Sequence, residues 1–547
     1  PSAIPPSHQA AMAPPVTARY DWILAITIIA FMCSAFGNGA NDVANAYSTS
    51  VAAQTLTMAQ AGMLAAVTEF TGAVALGKRV TDTIKNNIID IDHFRDPQRP
   101  GVLMLVMGCA EVGSATWLLT ATTIGFPVST TQTIVGALVG VGLAARAPIA
   151  WSWASGGVAQ VAASWAIAPC LAAIFAAILF STLKFGVLER KDSFKWALRV
   201  IPWYIGFTAG VLALFLAVEV PNAPDITEVE GTIIGAVLGV FFGVTAIGYI
   251  FFVPFFRAKL VKKNPKVRIW HLPMGPLLNK ENPPLYWPGN RDQYCKDYYA
   301  RADGTVVAGT KDAEKGINYA NDQSSSTHSS EDNAKVDDKV LSEKALDDAG
   351  HTPALEAHRQ KFRGPTQRFI DPVRDLPIYN PRKIWGYIKW FLLQGVTRDV
   401  ISQDSARLRQ VHAHAHRYDV RVEHMWTYCQ VLSAIMMSIA HGSNDVANAV
   451  GPFAASYATF TSGRVDTESP TPVWFLVIAG ILLGAGFWFY GFFIVRSLGN
   501  KITQMSPTRG FSIELGAAMT VLMASRLGLP VSTTQCLTGA ALGVALM

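Results

Sequence analysis

Apolar residues gather into long runs near 22–36, 55–77, 101–121, 127–145, 155–183, 200–218, 232–256, 424–440, 472–495, 510–525 and 530–547. Many approach or exceed the ~20 residues that carry a helix across a bilayer. Few show the polar face that a core helix of a water-soluble protein keeps for solvent. The pattern predicts an all-α polytopic membrane protein. Between the two groups of runs lies a polar stretch, 257–423. Its middle, near 302–350, is rich in Asp, Lys, Ser and Ala and poor in aliphatic residues, so it is expected to stay disordered. Residues 383–396, KIWGYIKWFLLQGV, are expected to lie along the cytoplasmic interface.

Composition sharpens this picture. Of 547 residues, half are hydrophobic and 15% charged, where a soluble domain is about 25% charged. The net charge of +6 is modest and gives no reason to expect nucleic acid as a partner. Cys33, Cys109, Cys170, Cys295, Cys429 and Cys536 form no CxxC pair and read as packing residues. The run His412, His414, His416 has period-two spacing, which scatters ligands around a helix, so no metal site is expected there. Residues 1–20 are Pro/Ala-rich and almost uncharged, so no cleavable signal is expected.

Charge in the connections sets the topology. The link at 184–199 carries Lys184, Arg190, Lys191, Lys195 and Arg199; the next, 219–230, carries Glu219, Asp225, Glu228 and Glu230 and no basic residue; the third opens with Arg257, Lys259, Lys262 and Lys263. Basic loops stay cytoplasmic, so these links read inside, outside, inside. Seven apolar segments precede Arg257, which puts residues 1–20 outside as an extracellular tail. The remaining division is 21–147, a first membrane repeat; 148–256, additional membrane helices; 257–423, a cytoplasmic loop; and 424–547, a second repeat.

The repeat is visible in the letters. NGANDVANA at 38 pairs with HGSNDVANA at 441, and GFPVSTTQTIVGALVGVGL at 125 pairs with GLPVSTTQCLTGAALGVAL at 528. The offset is 403 in both (441 − 38 and 528 − 125), and it also carries Glu111 onto Glu514 and Gly113 onto Gly516. One copy begins outside and the other inside, so the copies are expected to be inverted, a common transporter plan.

Each polar insert puts an aspartate, Asp42 or Asp445, in an apolar run, at a cost of about 2.5–3.5 kcal/mol on insertion scales. Gly37, Gly39 and Gly442 would let the helix break there. Freed carbonyls, the aspartate and Asn41, Asn45, Asn444 and Asn448 would then make a hard-oxygen site for a small cation. Helix–helix hydrogen bonding is the plainer use of such residues. PVSTTQ, at 127–132 and 530–535, is a helix-start signature. Two such N-termini aimed at one spot favour an anion; a cap at a kink is the alternative. Carboxylates alone repel an anion, while bound cations make room for it, which couples the two ligands. A tetrahedral oxyanion suits these donors, and phosphate and sulfate are not separated.

The paired GANDVANA/GSNDVANA and PVSTTQ motifs resemble the signatures of the inorganic phosphate transporter (PiT) family, over about 20–256 and 424–547. The long loop resembles its fungal sodium-coupled symporters. The resemblance implies about twelve spans, external termini, a homodimer in the plasma membrane, and cotransport of phosphate with sodium, with no other cofactor. It assigns sodium to Asn41, Asp42, Asn45, Asn444, Asp445 and Asn448, with Glu69 and Glu514. Phosphate falls to Ser129, Thr130, Thr131, Gln132, Ser532, Thr533, Thr534 and Gln535. The family often has His after STT, where this chain has Gln132 and Gln535, which donate hydrogen bonds but do not titrate near neutral pH. Arg526, whose repeat mate is Thr123, is placed to assist the anion or to snorkel at a helix end. Proton coupling, sulfate transport and a phosphate sensor signalling through 257–423 are the other readings. A channel and an intramembrane enzyme fit less well, and no HExxH or GxSxG motif is present.

Overall fold

The computed structural model describes residues 18–86, 88–95, 99–153, 157–219, 226–289, 293–299, 364–400, 412, 414–465, 470–499 and 503–547. Most of the expected extracellular tail and the stretch near 302–350 lie outside the described residues. Most of the described residues are helical, and seven helices among them are long and apolar enough to cross a membrane.

The first polar insert does not break its rod. Helix α1 (Asp21–Asn38) passes through one π-helical turn, Gly39–Val43, into α2 (Ala44–Ala52). Such single π turns are frequent at functional sites. Next come α3 (Met58–Leu76), α4 (Lys78–Asn86), α5 (Pro100–Thr123), α6 (Thr130–Ala144), α7 (Val158–Leu183), α8 (Ser193–Glu219) and α9 (Ile226–Ile247). A helix of the polar stretch follows, α10 (Pro381–Leu393), then α11 (Val420–Ser462), α12 (Val473–Tyr490), α13 (Phe492–Leu498), α14 (Pro507–Arg526) and α15 (Thr533–Ala545). The second insert lies inside α11, a single α-helix of 43 residues. The expectation of two broken helices with freed carbonyls is therefore corrected. The backbone stays wound, because an unsatisfied carbonyl costs several kcal/mol in hydrocarbon, and side chains supply the polar atoms instead.

The PVSTTQ segments turn back as hairpins. Gly125 (φ 71) joins α5 to α6, and Gly528 (φ 66) joins α14 to α15. Each closes its helix with paired bonds: Gly125 N–H to Thr122 O and Phe126 N–H to Ala121 O, then Gly528 N–H to Ser525 O and Leu529 N–H to Ala524 O. A left-handed residue is needed at this step, and glycine adopts it without a Cβ clash.

Apolar attraction is weak between helices in lipid, so close contact relies on small residues. A Cβ on Gly39 would stand 2.0 Å from the Leu483 carbonyl oxygen, and one on Gly442 would stand 2.5 Å from the Glu69 carbonyl oxygen. These glycines bring α12 and α3 onto the two inserts. Phe31 of α1 stacks on Phe453 of α11 at 4.5 Å. Asn38 at the end of α1 donates to Asp445 O, 2.7 Å away. With residue number rising in one helix as it falls in the other, the two inserts run antiparallel and cross.

The hairpins enter from opposite ends. Gly101 of α5 packs on Tyr20, at the start of α1. Thr508 of α14 packs on Glu423, at the start of α11, and the Met547 carbonyl accepts from Lys184 at the end of α7. Residue 547 thus lies at the opposite end of the bundle from Tyr20. The segment near 127–145 is one limb of a hairpin, not a crossing. Its partner limb keeps the count before Arg257 odd.

Candidate functional site

Because the rods cross, Asp42 and Asp445 meet in the interior, each almost fully buried. The hairpin tips lock onto them in pairs of bonds related by the 403 offset. Thr130 Oγ1 donates to Asp42 Oδ2 and Thr533 Oγ1 to Asp445 Oδ2, both at 2.6 Å. Asn45 Nδ2 donates to Asp42 Oδ1 at 3.1 Å, and Asn448 Nδ2 to Asp445 Oδ1 at 3.4 Å. The next bonds are swapped between copies. Asn45 Nδ2 reaches Thr534 Oγ1 at 2.6 Å, and Asn448 Nδ2 reaches Thr131 Oγ1 at 3.1 Å. Thr534 also donates to Asp42 (2.6 Å) and Thr131 to Asp445 (3.4 Å). Each hairpin therefore closes over the insert of its own repeat and touches that of the other.

The candidate residues divide by what they touch. Asn41 and Asn444 hold the hairpin turns: Asn41 Nδ2 donates to Thr122 Oγ1 and Phe126 O while its Oδ1 accepts from Val128 N–H, and Asn444 Nδ2 donates to Ser525 Oγ and Leu529 O. Asn45 Oδ1 and Asn448 Oδ1 differ, being buried amide oxygens that accept no hydrogen bond. A buried oxygen without a donor is costly, and a hard cation satisfies it. With the carboxylates of Asp42 and Asp445 nearby, these oxygens are of the kind that could hold a small hard cation. The Ser129 and Ser532 hydroxyls cap their helices, accepting from Gln132 N–H and Gln535 N–H at 3.2 Å. The hydroxyls of Thr130, Thr533 and Thr534 are committed to the aspartates, which leaves Ser129 and the glutamines nearest open space.

That space is a cavity of about 720 Å³ lined by Ser114, Trp117, Ser129, Gln132, Thr534 and Gln535 among others, with no Lys or Arg. It lies along the first hairpin, whose Gly113 and Gly136 have nothing within 4 Å, whereas their repeat mates Gly516 and Gly539 meet Ala176 and Pro169 of α7. Arg526 is not among the lining residues; its carbonyl accepts from Arg79, 2.8 Å away.

Two carboxylates assigned with the aspartates occupy different places. Glu69 joins them through His441, whose Nδ1 is 2.7 Å from Glu69 Oε2 and whose Nε2 is 3.0 Å from Asp445 Oδ2. Ser438 Oγ also donates to Glu69. Asp42, His441 and Asp445 offer ligand atoms within 4.8 Å of one another. Glu514 is not part of this group. It accepts from Thr49, Ser50, Gln430 and Ser433 at 2.6 to 3.2 Å, in a separate buried cluster. Its mate Glu111 faces Ser34. Sequence reasoning missed His441 as a site residue. The signal was present, since His441 replaces Asn38 at the one strongly different position of the paired inserts.

The phosphate transporter family matches residues 38–547. The phosphate-repressible phosphate permease pho-4 of Neurospora crassa is 37% identical over 543 residues, covering 96% of this chain and 91% of the permease. The sodium-dependent phosphate transporter 1-B of Danio rerio is 28% identical over 604 residues, covering 96% of this chain and 90% of that protein. A solved sodium-dependent phosphate transporter shares the fold with a TM-score of 0.57 at 23% identity, over 96% of this chain and 90% of its own.

Proposed function

We propose that this chain, which belongs to the phosphate transporter family, is a symporter that imports inorganic phosphate with sodium across the plasma membrane. The observation that carries this reading is the pair of buried, donor-less oxygens, Asn45 Oδ1 and Asn448 Oδ1, beside Asp42 and Asp445. Sodium held there by a carboxylate and an amide oxygen in each copy offsets carboxylates that outnumber the single imidazole of His441. The cavity has no basic side chain, so a phosphate in it relies on the hydroxyl of Ser129, the amides of Gln132 and Gln535, the helix N-termini, and the neighbouring cations. Glu69 and His441 position Asp445, and Glu514 forms a further oxygen-rich station.

Sodium and phosphate are also the ligands named for the zebrafish relative. The homodimer and the external side of Tyr20 rest on the family resemblance and the charges of the loops. Uptake of labelled phosphate into vesicles, with sodium replaced by choline at fixed pH, tests the reading. Loss of uptake is expected. Undiminished uptake would assign the coupling to protons, and equal competition by sulfate would overturn the choice of substrate.

A further inference from the structure

Helix α10 (Pro381–Leu393) meets, at its C-terminal end, the end of the bundle that carries the basic loops. Trp488 Nε1 at the end of α12 donates to Leu392 O at 2.7 Å, and the rings of Phe391 and Phe489 lie 5.7 Å apart. One face is used: Gly386 is buried against Phe369 and Val373, and Trp390 donates to Thr366. The opposite face exposes Ile384, Trp385, Tyr387, Ile388, Phe391 and Leu392. At 3.6 residues per turn these six cover an unbroken arc of roughly 160°. Arg382 and Lys389 border one edge of that arc and Lys383 the other. The helix has no acidic residue.

We propose that this face seats α10 in the cytoplasmic leaflet and that Arg382 and Lys389 select anionic lipid. Three features support a lipid occupant. The stripe is continuous, through Trp488 and Phe489, with a helix long and apolar enough to cross the bilayer. Its aromatic residues are of the kind that anchors at the interface. Its flanking charges complement an anionic surface, each worth roughly fivefold in partition. The Lys389 ammonium lies 5.5 Å from the Trp385 ring centroid, so charge and ring reach the headgroup level together. Beyond the helix, Arg398 stands over Phe492 at 4.2 Å beside Arg496, extending the basic border along the same end of the bundle.

The test uses the full chain in vesicles. The accessible cysteines Cys33, Cys109, Cys170 and Cys295 are replaced by serine, Ile388→Cys is labelled with an environment-sensitive fluorophore, and lipid-borne doxyl is compared with aqueous iodide as quencher. In phosphatidylcholine containing phosphatidylserine, doxyl should quench and iodide should not. Removing phosphatidylserine, or introducing Arg382→Gln with Lys389→Gln, should lower doxyl quenching severalfold. Quenching by iodide alone would put the face in water, and quenching by neither would mean that protein covers it. Equal doxyl quenching in every vesicle and variant would remove the choice of anionic lipid. Each of these outcomes overturns the proposal. Hydrogen exchange of the unsubstituted protein gives a second reading, with amides 384–392 slower to exchange when phosphatidylserine is present.

Discussion

Asp42→Asn removes a full charge and turns one of the two acceptor oxygens into a donor. In the structure Oδ1 receives Thr534 and Asn45, while Oδ2 receives the hydroxyl and N–H of Thr130. All four partners donate, so no orientation of an amide satisfies them. Hydrogen bonds to charged groups contribute about 1.5–3 kcal/mol each. A loss of that size in sodium binding, at about 1.4 kcal/mol per factor of ten, raises the half-saturating sodium concentration roughly ten- to hundredfold. The assay is phosphate uptake into proteoliposomes over graded sodium, with choline holding ionic strength constant and size-exclusion elution confirming folded protein. Asp445→Asn should shift in the same direction, because its bonds are the repeat mates of these. An unchanged sodium curve in a folded Asp42→Asn protein would refute the assignment of cation binding to this carboxylate.

A double-mutant cycle on Asn45→Ala and Thr534→Val should give a coupling near the ~0.6 kcal/mol average for polar pairs in membranes, with ~1.7 as the ceiling, read from thermal stability; additivity would mean that the cross-repeat bond contributes nothing. Gly39→Ala drives a Cβ into the Leu483 carbonyl and should cost about 1–3 kcal/mol as overpacking, lowering the melting temperature by several degrees, while Gly113→Ala, facing open space, should leave it unchanged. Tyr299→Phe removes a 2.5 Å bond to the buried Glu423, which Thr508 still serves. It should lower stability by about 1.5–3 kcal/mol, and a melting temperature equal to wild type would show that bond to be dispensable.

Much of the site was legible because the chain states it twice. The helix starts near Thr130 and Thr533 and their serine caps are local, written within six letters, and the structure has both. Charge and parity predicted inverted copies, and the two inserts run antiparallel; pairing of the limbs α5 and α6 leaves the parity unchanged. What was not legible depends on partners far along the chain. Glu514 looked like a companion of the aspartates, yet four donors on α2 and α11 hold it elsewhere; Thr49 alone is 465 residues away. His441 was passed over because its second carboxylate, Glu69, arrives on another helix, where Gly442 lets α3 approach. The wound second rod was hidden for a different reason. Glycine permits a break but does not require one, and in hydrocarbon the intact hydrogen-bond ladder wins.

The central claim is that cations at Asp42 and Asp445 make the neighbouring cavity hospitable to an anion. Equilibrium binding of labelled phosphate to the purified protein, with sodium or choline as the counterion, tests it most directly. Sodium should tighten phosphate binding at least tenfold, and saturating phosphate should tighten sodium binding by the same factor, as linkage requires. Equal phosphate affinity in sodium and in choline would contradict the account.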